Sequence, residues 1–81
     1  MRTLATKQHI LENAGYVYHI DREIYFNRKA KKVFSMDFVE DHEEEEIEQS
    51  IRHETDGTKW RFYFNSEPAD PVKRALEFML G

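Results

Sequence analysis

Between Tyr16 and Phe38 the chain reads YVYHIDREIYFNRKAKKVFSMDF, three short aromatic and β-branched runs set apart by polar residues. The runs are YVYHI, EIYFN and KKVFS, with Asp21-Arg22 and Lys29-Ala30 in the breaks. Alternation over segments this short predicts antiparallel strands joined by tight turns. In the first, Tyr16, Tyr18 and Ile20 share a face, and Val17 and His19 take the other. Ile24 and Phe26 share a face in the second, opposite Tyr25 and Asn27. In the third, Phe34 and Met36 lie on one side, Val33 and Ser35 on the other. A fourth strand is expected at KWRFYFN, residues 59–65, with Trp60, Phe62 and Phe64 on one face and Arg61 and Tyr63 opposite.

The remaining segments read as helices. Thr3 or Thr6 caps a first helix with Leu4, Ile10, Leu11 and Ala14 on one stripe, and Gly15 supplies its left-handed end. A second helix is expected over about 41–53, because Asp41 and Glu44 have capping-box spacing. Residues 36–40 read equally as strand or helix. Asp70 caps the last helix, with Pro71 at its first position. Val72, Ala75, Leu76 and Met79 then recur at helical spacing.

The order α-β-β-β-α-β-α predicts one small α+β domain over residues 1–81, with a mainly antiparallel sheet of three to four strands and helices on one face. Leu4, Leu11, Tyr18, Ile24, Phe26, Phe34, Trp60, Phe62, Phe64, Val72, Leu76 and Met79 form the expected core. If the even-numbered strand residues point inward, Val17, His19, Tyr25, Asn27, Val33, Ser35, Arg61 and Tyr63 point outward. Tyrosine and valine among polar groups suit an interface better than a solvent face. Val17, His19, Tyr25, Val33, Arg61 and Tyr63 are therefore the candidate binding surface, for a second copy or another protein.

Composition narrows the chemistry. With 81 residues and no cysteine, the chain must be stabilised by packing, not by disulfides or thiolate zinc sites. The N-terminus lacks a signal-peptide core and no run reaches membrane-spanning length, so a cytoplasmic protein is expected. Charge is segregated: residues 1–32 carry seven Lys and Arg against three Asp and Glu, and residues 33–57 one against ten. Opposed charge regions favour docking to protein.

Three other chemistries are weaker. His42, Glu46, Gln49 and His53 fall on one helical stripe, but the histidines stand about 16 Å apart at helical rise, too far to share one ion. No nucleophile elbow, zinc-binding helix motif or phosphate loop is present, so neither catalysis nor a cofactor or small-molecule substrate is expected. Arg28, Lys29, Lys31 and Lys32, near Tyr18, Tyr25 and Phe26, offer a nucleic-acid alternative, opposed by the acidic neighbouring segment. The residues favour a small regulatory or protein-interaction domain.

Overall fold

A computed structural model describes residues 4–81. Its elements are α1 (Leu4–Asn13), β1 (Val17–His19), β2 (Ile24–Asn27), β3 (Lys32–Ser35), α2 (Met36–Asp41), α3 (Glu44–Arg52), β4 (Arg61–Tyr63) and α4 (Asp70–Leu80). The expected order holds, with the second helix broken in two. Ser35 ends β3 and caps α2, its Oγ accepting from the Phe38 amide at 3.1 Å. Asp41 therefore closes a helix instead of opening one, and α3 begins after Glu43 without a side-chain cap.

The end of α1 follows from Gly15, whose φ of +92° is left-handed. The turn it permits lets the Tyr16 amide reach the Leu11 carbonyl and the Gly15 amide reach Glu12, both at 3.0 Å. This is the Schellman arrangement, and the flanking apolar pair Leu11 and Tyr16 is buried in one cluster.

The sheet order is β1-β2-β3-β4. The first two pairings are antiparallel and β3 pairs with β4 in parallel, so the sheet is mixed. A parallel neighbour needs a crossover connection, and α2 with α3 supplies it.

Register brings two rows of side chains together. Tyr18, Tyr25, Phe34 and Tyr63 are successive partners across the four strands, as are Val17, Phe26, Val33 and Phe62. The first row lies under α1, α2 and α3, where Tyr25 and Phe34 pack with Leu11, Tyr16, Val39 and Ile47. The second lies under α4, where Ile24 and Val33 meet Leu76 and Leu80, flanked by Phe26, Trp60 and Phe62.

Helices thus cover both faces, which corrects the expectation of one covered face. The physical reason is turn length. Each hairpin loop spans an even number of residues (20–23 and 28–31), so even positions of one strand meet odd positions of the next. Phe34 consequently shares a face with Tyr25, not with Ile24 and Phe26. Among the expected core residues, Leu11, Ile24, Phe34 and Leu76 are buried, Val72 and Tyr18 are exposed, and the others described are half-buried. The Leu4 side chain, with Thr3, lies outside what is described. Among the described residues no helix is long and apolar enough to cross a membrane.

Phe34 is the centre of the first row. Its ring stacks on Tyr63 at 4.6 Å and meets Tyr16 and Phe38 edge-on at 5.4 and 5.8 Å. Phe34→Ala should therefore cost about 3–5 kcal/mol, a large part of a small domain's stability. Val72→Ala, at a position 49% exposed, should stay within about 0.5 kcal/mol. Urea denaturation of both variants checks the contrast.

A second prediction concerns alkaline pH. Burial raises the pKa of Tyr16, helped by nearby Tyr63, and also raises those of Tyr25 and Tyr63. Their folded forms hold protons that the unfolded chain releases near its ordinary tyrosine pKa of about 10. These groups stabilise the fold fully below that value, and their contribution is lost as pH rises beyond it. Urea midpoints should fall between about pH 9 and pH 11.5, with tyrosinate absorbance rising on unfolding. An unchanged midpoint would contradict the burial of this row.

Candidate functional site

The candidate interface divides into three places. Val17 and His19 lie on β1 at one edge of the sheet, and Arg61 and Tyr63 on β4 at the other. Tyr25 and Val33 are buried in the middle, on opposite faces. The six residues cannot form one surface, because the outward face assumed for them does not exist. The even-length loops put Tyr25 beside Phe34, and α4 covers Val33.

The basic hairpin also changes meaning. Lys32 is buried at the start of β3, and its Nζ donates to the Ser50, Ile51 and His53 carbonyls at 2.8, 2.8 and 2.5 Å. Those carbonyls end α3, so the ammonium meets both orphan acceptors and the negative end of the helix dipole. Burial lowers the pKa of Lys32. Arg28 serves the other side of the sheet. Its Nε donates to the Leu80 carbonyl at the end of α4 at 2.6 Å, and its guanidinium sits 5.5 Å from the centre of the Phe26 ring. Two of the four cations proposed for nucleic acid are therefore occupied by helix ends, one on each face. Lys29 is exposed and Lys31 half-buried.

The histidine stripe is broken as well. His42 lies in the extended link between α2 and α3, and His53 follows the end of α3. The His42 ring stacks on Phe38 at 3.8 Å, with Nδ1 2.9 Å from the Phe38 carbonyl oxygen and Nε2 3.9 Å from Glu46. Glu46, Gln49 and His53 instead line an open groove with Arg61 and Tyr63. Among the described residues no group of three His, Asp or Glu is placed to hold a metal ion.

What remains is the edge at β1. Val17 is 57% exposed, Tyr18 37% and the following Ile20 75%. The Tyr18 ring rests on Tyr25 at 4.9 Å, and Val17 continues the row that α4 covers further in. Among the described residues the buried Nδ1 of His19 has no hydrogen-bond partner. Alternation puts Tyr18 and Ile20 together on the inward face, because it cannot show that their strand lies at an edge.

Hydrogen bonding sets the direction of this edge. The Met36 amide bonds to the Glu23 carbonyl at 3.0 Å, which marks odd-numbered β2 residues as those bonded to β3. Even-numbered Ile24 and Phe26 then bond to His19 and Val17. The main-chain N–H and C=O of Tyr18 point away from the sheet.

Replacing Lys32 with Met keeps the aliphatic stem and removes the ammonium from the three carbonyls that end α3. Lys32→Met should cost about 2–4 kcal/mol, and Lys29→Met less than about 0.5. Equal urea midpoints for the two variants would contradict the capping role. No protein-family model, curated protein or solved structure matches this chain.

Proposed function

We propose that this chain is a non-catalytic protein-interaction domain of the cytoplasm, and that the open edge at β1 is its docking surface. The observation that carries the reading is the contrast between the two edges. Edge strands are commonly protected by charge, proline or a bulge. β4 follows Lys59 and carries Arg61, both exposed. β1 is Val-Tyr-His followed by Ile, with no charged residue before Asp21 and three exposed apolar side chains. An uncharged strand with outward main-chain groups suits pairing with another strand, where backbone bonds give affinity and alternate side chains give selectivity. The basic hairpin supports nucleic-acid binding less well, because Arg28 and Lys32 cap helices.

Val17→Glu combined with Ile20→Glu should leave the circular dichroism spectrum unchanged, because both side chains face solvent. The same variant, immobilised beside the wild type in an extract of the native cells, should lose proteins that the wild type retains. Identical retained sets would contradict β1 as the docking surface. The earlier candidates Tyr25 and Tyr63 are unsuitable for this test, since charge at Tyr25 would enter the core.

A further inference from the structure

We infer that the strand accepted by β1 is that of a second copy of this chain, paired antiparallel about a two-fold axis at Tyr18. The inference rests on the reading of β1 as a docking edge and names its occupant. Antiparallel pairing centred on one residue requires that residue's N–H and C=O to face outward. Tyr18 meets this condition, because Val17 and His19 use theirs on β2. Each Tyr18 amide would then donate to the other's carbonyl. Val17 of each copy would face His19 of the other.

Side chains fit the same symmetry. The two Tyr18 rings would meet on the face where each already packs against Tyr25, extending the aromatic row from one sheet into the next. On the opposite face, Val17 and His19 would form uncharged cross-strand pairs that cover the exposed Val17 side chain.

Charge selects self-pairing at this edge. The loop residues Asp21, Arg22 and Glu23 fall beyond the paired strand, and the residues that face each other, from Tyr16 to Ile20, include no Asp, Glu, Lys or Arg. A two-fold interface must match its own surface, and a strand whose facing residues carry no formal charge meets that condition.

The register supplies the test. Because residue 17 faces residue 19 of the other copy, Val17→Lys with His19→Lys sets like charges opposite each other twice. Val17→Lys with His19→Glu sets opposite charges together. Sedimentation equilibrium should give a dimeric wild type. The first variant should associate at least about tenfold more weakly, and the second should remain dimeric. Circular dichroism confirms that each variant is folded. A wild type that stays monomeric at hundreds of micromolar overturns self-pairing alone if retention of another protein still requires Val17 and Ile20. A dimer that persists in both variants overturns β1 as the surface, and the reading beneath it falls too.

Discussion

The ammonium of Lys32 lies where β3, α3 and the approach to β4 come together. It begins a strand at the centre of the sheet and holds three carbonyls at the end of the helix that crosses to the parallel strand. Without that donor, the half-buried end of α3 would lose the one group that binds three of its carbonyls. The crossover from β3 to β4 is thereby tied to the sheet, and Phe34, the next residue on the same face as Lys32, stacks on Tyr63. Arg28 does a lesser version of this for α4 from the other end of the same hairpin. One loop thus anchors helix ends on both faces of the sheet.

Covering both faces has a consequence for function. The middle strands spend their apolar residues internally: Tyr25 and Phe34 on one side, Ile24 and Val33 on the other. A helix layer of this width does not reach the rim, so the rows that are dry at the centre become accessible at β1. Docking at that rim, as proposed, would extend interactions the sheet already uses, namely backbone pairing and tyrosine against tyrosine. The acidic helix α3 and the cations near β4 give the other rim a different character.

Much of this architecture was legible in the sequence. The three strand runs, the glycine that ends α1 and the proline that begins α4 each carry a local stereochemical requirement, and each lies where expected. Which strand faces meet was not legible. Alternation relates Tyr25 to Asn27 within a strand, but loop length decides whether Tyr25 meets Phe34 or Val33. The break at His42 and Glu43 was hidden too, because Ser35 and Asp41 both resemble caps and only Ser35 binds an amide across its first turn. One signal for the buried cation was available: Lys32 has the same parity as Phe34, a basic residue at an inward position beside exposed Lys29. Of the candidate interface, Val17 and His19 lie on the open edge, whereas Tyr25 and Val33 follow the misjudged face into the core.

The fold depends most on the ammonium of Lys32 being protonated, shielded and fixed to the end of α3. Nitrogen-15 NMR can observe this group directly through its Nζ–H signal near neutral pH. A sharp lysine ammonium signal that exchanges slowly with water, and disappears in Lys32→Met, is the predicted result. If all lysine ammonium signals are lost to rapid solvent exchange, as for Lys29 on the exposed hairpin tip, Lys32 does not hold α3.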